Sequence, residues 1–164
     1  MIKVGDTLPD ATLSETTEFG EACPIGPKNL SVLEEARGKK IAVFGVPGAF
    51  TPTCSVKHLP GYVESYDAFR AKGVDEIWCI SVNDGFVMAA WGQDQDAIGR
   101  VRMLGDGGAE FTRKLGLERE IPGMGLRCRR FSMWAEDGVV QGVFVEEPGQ
   151  FTVSDAETML QKLG

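Results

Sequence analysis

The stretch from residue 41 to residue 54 constrains the fold more than any other part of the chain. An apolar run, 41–46, stops at a Pro-Gly pair, which is typical of a buried strand that ends in a loop. Thr51 followed by Pro52 then predicts a helix start, with threonine as N-cap and proline at the first helical position. Cys54 therefore falls in the first helical turn, where free backbone N–H groups and the helix dipole favour a thiolate over a thiol.

Composition and charge exclude several classes of function. The 164 residues are 43% apolar and 25% charged, which predicts a single globular domain over 1–164 without a linker or repeat. No apolar run reaches the ~18 residues of a membrane span. The first residues also lack the apolar core of a signal peptide, so we expect a cytoplasmic location. A formal net charge of -7 argues against nucleic-acid binding.

The cysteines indicate one reactive thiol rather than a metal site or a disulfide framework. Cys23, Cys54, Cys79 and Cys128 share no C-x-x-C or other metal-ligand spacing, and the chain has one histidine. Cys79 lies within a predicted central strand, which favours a small core residue. It could act as a resolving thiol only if its Cα lay within about 7 Å of that of Cys54, or after local unfolding.

Patterning along the chain predicts an α/β domain. Strands are predicted at 41–46, 76–82, 101–104, 127–135 and 139–145, with Asp137-Gly138 as the turn of the final hairpin. Helices are predicted at 52–72 with a break at Pro60-Gly61, at 84–97, at 109–116, and from a Ser154/Glu157 capping box to about 163. Residues 1–40 are predicted to be irregular, with room for a short hairpin. This order gives a mixed central sheet with helices on both faces and an antiparallel hairpin at one side, which is a thioredoxin-like fold.

The neighbours of Cys54 in sequence have both structural and chemical interpretations. Thr51 could cap the helix and also bond a thiolate or an oxygen substrate, and Pro47 would shape the loop and shield the thiol. His58 lies one helical turn after Cys54 and could activate it, but we favour a packing or hydrogen-bonding role. Strand alternation puts Arg127 and Arg130 on opposite faces, and the residues alone do not choose which arginine reaches the thiol.

The segment 47–62, Pro-Gly-Ala-Phe-Thr-Pro-Thr-Cys-Ser-Val-Lys-His-Leu-Pro-Gly-Tyr, resembles the active-site signature of peroxiredoxins of the peroxiredoxin-5-like (type II) subfamily. Similar motifs occur at 4–9, 80–91, 104–107 and 125–131, so the resemblance spans nearly the whole chain. It implies a thioredoxin-like fold and a thiol peroxidase that uses no metal, haem or nucleotide cofactor.

The resemblance also implies roles for four residues. Cys54 would be the peroxidatic cysteine and would be oxidised to a sulfenic acid. Thr51 would bond the peroxide oxygens, and Pro47 would cover the site. A Gly-x-Arg pattern selects Arg127 as the arginine that stabilises the thiolate and the transition state.

The sequence constrains the reduction of the oxidised Cys54 less than it constrains its oxidation. No cysteine follows Cys128, so the resolving route that some members run through a C-terminal cysteine is absent. We therefore expect reduction by an external thiol such as glutathione with glutaredoxin, or by thioredoxin, with Cys79 as a less favoured resolver. The alternative is a non-catalytic redox sensor that relays oxidation to a partner protein. The resemblance further implies a homodimer, with Phe50 and Trp91 either at its interface or packed in the core.

Overall fold

The computed structural model describes residues 1–163, which form eleven strands and six α-helices. In chain order the elements are β1 (Thr12–Glu15), β2 (Glu18–Phe19), β3 (Pro24–Ile25), β4 (Lys28–Ser31), α1 (Val32–Ala36), β5 (Lys40–Gly45), a π-helical turn (Cys54–His58), α2 (Leu59–Glu64), α3 (Tyr66–Ala71), β6 (Glu76–Ser81), α4 (Gly85–Asp94), β7 (Val101–Gly105), α5 (Glu110–Leu115), β8 (Glu118–Ile121), β9 (Gly125–Cys128), β10 (Phe131–Glu136), β11 (Val139–Val145) and α6 (Ala156–Lys162).

Seven strands form one mixed sheet in the order β11-β10-β5-β6-β7-β1-β4. The central strands β5, β6 and β7 are parallel and almost wholly buried, as their apolar sequences predict. The thioredoxin-like α/β fold is confirmed. The antiparallel β10–β11 hairpin closes one side, and its turn at Asp137-Gly138 has positive φ values of 48° and 80°, as a hairpin turn of this type requires.

The N-terminal region also contributes to the sheet, which the sequence did not predict. Strands β1 and β4 pair antiparallel with each other, and β1 joins the sheet beside β7. Both strands are four residues long and mostly polar, Thr-Leu-Ser-Glu and Lys-Asn-Leu-Ser, so neither shows a clear apolar run. They hold their places through pairing at the edge of the sheet rather than through burial of both faces.

Two apolar cores lie on the two faces of the sheet. One contains side chains from α1 and α5, and the other contains side chains from α2, α3, α4 and α6 together with Cys54. Trp91 is fully buried in the second core, and its indole N–H donates to Ser55 Oγ at 2.9 Å. The prediction that Trp91 could lie at a dimer interface is therefore wrong, and the core-packing alternative is confirmed.

The helix predicted over 52–72 is interrupted at a different residue from the one expected. Helical backbone begins at Pro52 as predicted, and the break falls at Ser65 instead of Pro60-Gly61. Pro60 lies in the first turn of α2, directly after the wider π-helical turn, and a π turn tolerates a missing backbone donor more easily than a regular α turn.

The start of the last helix also differs from the prediction. Asp155, not Ser154, is the N-cap of α6, and its carboxylate accepts a hydrogen bond from the Thr158 backbone N–H at 3.1 Å. The Ser154 hydroxyl is directed to the Glu146 carboxylate instead, to which it donates at 2.7 Å. None of the helices within residues 1–163 is long and apolar enough to cross a membrane.

Candidate active site

Cys54 lies where the central strand β5 gives way to a helix. The loop after β5 turns at Phe50, which has a positive φ of 60°, and the helix begins at Pro52. The Ser55 N–H donates to the Thr51 carbonyl at 2.9 Å, which is the first bond of the helix and places Thr51 at the N-cap. The Cys54 side chain is fully buried, so a substrate must reach it through the loops at this end of the sheet.

The arginine that contacts the thiol is Arg130. Its Nη2 donates to Cys54 Sγ at 3.2 Å, and its Nη1 lies 2.8 Å from His58 Nδ1. The guanidinium also sits over the Phe151 ring, 5.7 Å from the centroid. A fixed positive charge at this distance stabilises a thiolate and any negative charge that develops on a bound oxygen.

The expectation that Arg127 would hold the thiolate is corrected by this geometry. The predicted strand 127–135 is two strands: β9 pairs with β8, and β10 pairs with β5. The pairing of Phe131 with Gly45 puts Arg130 level with the end of β5, beside the loop that leads to Cys54. Side-chain alternation does not run through the break at 129–130, so the predicted faces do not apply there.

Arg127 instead braces the loop in front of the site. Its Nε donates to the Met124 carbonyl at 3.1 Å and its Nη1 to the Pro47 carbonyl at 3.4 Å. A side chain added at Gly48 would lie 3.1 Å from the same guanidinium, so the loop and the arginine are closely packed. Arg127 therefore fixes the backbone that carries Pro47.

His58 takes the hydrogen-bonding role that the sequence favoured. Arginine has only donors, so Nδ1 of His58 accepts from Arg130 and the ring proton is on Nε2, which donates to the Ser154 carbonyl at 3.1 Å. Burial, and after it the positive charge of Arg130, together lower the pKa of His58 to about 3. The imidazole is therefore neutral at physiological pH and orients Arg130.

A buried carboxylate fixes the segment that His58 contacts. Glu146 is 3% exposed and accepts hydrogen bonds from the backbone N–H groups of Thr152, Val153 and Ser154 at 2.8–3.0 Å. Burial alone would raise the pKa of Glu146, but these bonds and the Ser154 hydroxyl hold it below its usual value. The Tyr62 hydroxyl donates to the Ser154 carbonyl at 2.9 Å. A continuous series of hydrogen bonds therefore links Glu146 to the Cys54 sulfur by way of Ser154, His58 and Arg130.

The loop between β5 and the helix has its own supports. The Thr51 hydroxyl donates to the Gly48 carbonyl at 2.7 Å and so stays free to accept a further hydrogen bond. Asn83, just after β6, accepts from the Ala49 N–H at 3.1 Å and from the Ser81 hydroxyl at 2.6 Å. Pro47 forms part of the cavity that opens beside Cys54. The sequence analysis singled out Thr51 and Pro47, whereas Asn83 lay within the family-like motif 80–91 but was given no role.

The other cysteines differ from Cys54 in their surroundings. Cys79 is fully buried on β6, and burial, together with negative charge at Cys54, raises its pKa well above the usual value. Cys128 lies in the opposite core, where burial raises its pKa to about 12. Cys23 is exposed between β2 and β3. Among the residues that the structure describes, Cys54 is the cysteine whose sulfur accepts a hydrogen bond from a guanidinium.

Comparison with known proteins supports a specific assignment for this thiol site. The family model described as Redoxin matches residues 3–160. Peroxiredoxin-2E, chloroplastic, of Arabidopsis thaliana is 49% identical over 166 residues, which cover 99% of this chain and 69% of that protein. Peroxiredoxin-2B of the same plant is 46% identical over 164 residues, which cover 99% and 98% respectively.

A solved structure is similar over the entire length. Reduced Prx3 from Vibrio vulnificus in complex with hydrogen peroxide has 50% sequence identity and a TM-score of 0.93, with 100% of both chains covered. The fold, the buried cysteine and the arginine at its sulfur together define a redoxin with a thiol at a helix start. The chain belongs to the peroxiredoxins, in the type II, peroxiredoxin-5-like subfamily, and it is a thiol peroxidase.

Proposed function

We propose that Cys54 reduces hydrogen peroxide and organic hydroperoxides. The 3.2 Å contact between Arg130 Nη2 and Cys54 Sγ carries this proposal, because a half-buried guanidinium stabilises both the attacking thiolate and the leaving peroxide oxygen. The thiolate sulfur attacks one peroxide oxygen, the O–O bond breaks, and the other oxygen leaves as water or an alcohol. Cys54 becomes a sulfenic acid. The solved structure of a relative with hydrogen peroxide bound supports the choice of substrate.

The residues of the loop between β5 and the helix, and those around it, differ in whether they would contact the peroxide or only position residues that do. Thr51 would hold one peroxide oxygen, since its hydroxyl lies in the turn that leads into Cys54. Pro47 would limit water access to the thiol. Arg127 would act as a positioning residue, through the Pro47 carbonyl that it binds.

The sulfenic acid is then reduced by a thiol from outside the chain. Cys79 is a poor resolving thiol because it is buried in a central strand and its raised pKa keeps it protonated. Glutathione with glutaredoxin, or thioredoxin, would supply the reducing thiols.

Peroxide consumption by purified protein tests the proposal. We expect turnover with glutathione and glutaredoxin, loss of turnover in Cys54→Ser, and retention in the matched Cys128→Ser variant, whose thiol lies in the opposite core. Full activity in Cys54→Ser would refute the proposal. A protein that peroxide oxidises but that neither glutaredoxin nor thioredoxin reduces would act as a redox sensor instead.

A homodimer forms a second part of the proposal. Phe50, Val56 and Phe86 expose 56%, 71% and 45% of their surface, and the first two flank Cys54 in sequence. Contiguous apolar patches are typical of interaction surfaces, and we propose that these side chains contribute to one. Sedimentation of the protein and of a Phe50→Asp variant tests this, and a wild-type monomer at micromolar concentration would exclude the dimer. The cytoplasmic location stays a prediction.

A further inference from the structure

A cavity lined in part by Arg130, whose guanidinium contacts the Cys54 sulfur, is cationic although the protein is acidic. It has a volume of about 430 Å³, within the range of roughly 300–1,000 Å³ in which small-molecule sites fall. Four basic residues line it against two acidic ones, a net charge of +2, while the whole chain carries -7. The basic residues are Lys57, Arg119, Arg129 and Arg130, and the acidic ones are Glu146 and Glu147.

Across residues 1–163 these cations have no carboxylate partners. Within residues 1–163 none of the four basic residues forms a salt bridge, whereas Arg102, elsewhere in the chain, pairs with three glutamates. The Glu146 carboxylate is bound by the backbone of 152–154. Moreover, Nε of Arg129 is buried without a hydrogen-bond acceptor among the described residues. Buried donors are normally satisfied, so the hydrogen-bonding capacity of Arg129 is only partly used within the described residues.

We propose that this cavity binds the carboxylates of a small anionic thiol, the class to which glutathione belongs, and so delivers the reductant to Cys54. This inference rests on the proposed function. The cavity is much larger than hydrogen peroxide needs, so it has room for a larger molecule. Its lining is mainly charged and polar, with Pro47, Pro148 and Phe151 as its larger apolar side chains, and a long acyl hydroperoxide would find little apolar surface there.

The reaction at this site is a two-electron reduction. The thiolate of the bound ligand attacks the Cys54 sulfenic sulfur, an S–S bond forms, the S–O bond breaks, and the hydroxide leaves as water after taking up a proton. A second thiol then attacks the ligand sulfur of this mixed disulfide. Cys54 leaves as a thiolate, and the two external thiols are released as one disulfide. Carboxylate binding raises the rate of the first attack by holding the ligand thiol next to Cys54.

The test compares two thiols that differ in charge. Pre-oxidised Cys54 is reduced with glutathione or with glutathione diethyl ester, which lacks free carboxylates, and the second-order rate constant is followed by tryptophan fluorescence and mass spectrometry. The variants are Lys57→Gln and Arg119→Gln. The matched control is Lys28→Gln, which changes the net charge equally but lies on β4 at the far edge of the sheet.

We expect each cavity variant to slow reduction by glutathione about 2- to 5-fold, as removal of one partly exposed ionic contact does, and to leave reduction by the ester unchanged. The control variant should match wild type with both thiols. Equal slowing with the ester, or an equal effect of Lys28→Gln, would overturn the inference. So would variants that slow only oxidation by a carboxylate-bearing hydroperoxide. If peroxide forms no sulfenic acid on Cys54 at all, the proposed function falls as well.

Discussion

Arg130 lies between Cys54 and His58, with one guanidinium nitrogen 3.2 Å from the sulfur and the other 2.8 Å from Nδ1 of the ring. The partner that orients the guanidinium is a neutral imidazole rather than a carboxylate. A carboxylate in that place would compete with the sulfur for the positive charge, whereas the imidazole fixes the direction of the N–H groups and leaves the charge to act on Cys54.

Replacement of Arg130 should slow the oxidation of Cys54 far more than replacement of Arg127. We expect Arg130→Gln to lower the second-order rate constant with hydrogen peroxide about 10²- to 10³-fold, the usual loss when one donor to a developing oxyanion is removed. Arg127→Gln should cost much less, because its guanidinium binds loop carbonyls and not the sulfur. Stopped-flow fluorescence measures both rates, and circular dichroism checks the folds. A larger loss in the Arg127 variant would mean that Arg127, and not Arg130, stabilises the reacting sulfur and oxygen atoms.

Because the chain has a single histidine, His58, a change of stability near the usual histidine pKa can be assigned to that residue. The pKa of His58 is about 3 in the folded protein against 6.5 for an ordinary histidine, so the unfolded chain binds the proton first. The contribution of His58 to the free energy of unfolding is therefore fully present above pH 6.5. It is lost as the pH drops from 6.5 towards 3, with a slope that approaches about 1.4 kcal/mol per pH unit.

Urea unfolding between pH 7 and pH 5 measures this slope. The Cys54→Ser background removes any contribution from the thiol, and carboxylates with lowered pKa values such as Glu146 act only as the pH falls below about 4.5. His58→Gln should flatten the dependence in this range. An unchanged slope in that variant would mean that His58 is protonated in the folded protein.

Glu146 should be important for stability and for the position of His58. Glu146→Gln replaces an acceptor of backbone N–H bonds from Thr152, Val153 and Ser154 by a side chain with one acceptor oxygen. We expect a loss of about 2–3 kcal/mol in the free energy of unfolding, and slower peroxide oxidation because the Ser154 carbonyl no longer holds His58. Glu147→Gln is the matched control, since Glu147 is exposed. Equal stability of both variants would exclude this role.

Cys79 should be dispensable for turnover with external thiols. We expect Cys79→Ser to retain the wild-type rate with glutathione and glutaredoxin, because the buried thiol keeps its proton and lies within a central strand. Non-reducing mass spectrometry after one equivalent of peroxide should find no disulfide between Cys54 and Cys79. Loss of turnover with every reductant in a folded Cys79→Ser protein would show that Cys79 is the resolving cysteine.

Local sequence signals located the elements that have strong apolar patterns. The parallel strands β5 and β6 and the helix start at Pro52 follow from a buried run, a Pro-Gly stop and a Thr-Pro pair. Strands β1 and β4, the last two at one side of the sheet, were not predicted because their residues are mostly polar. The Gly-x-Arg motif predicted Arg127 as the arginine at the thiol. The pairing of β10 with β5 places Arg130 there instead.

The sequence by itself determined that one cysteine would lie at a helix start after a central strand, because strand burial, proline and the N-cap act over a few neighbouring residues. Only the tertiary structure decided which charges meet that cysteine. Arg130 reaches Cys54 because β10 pairs with β5, and Glu146 and Ser154 reach His58 through a loop roughly ninety residues further along the chain. Contacts over such separations depend on the pairing of whole strands, which no local pattern in the chain encodes.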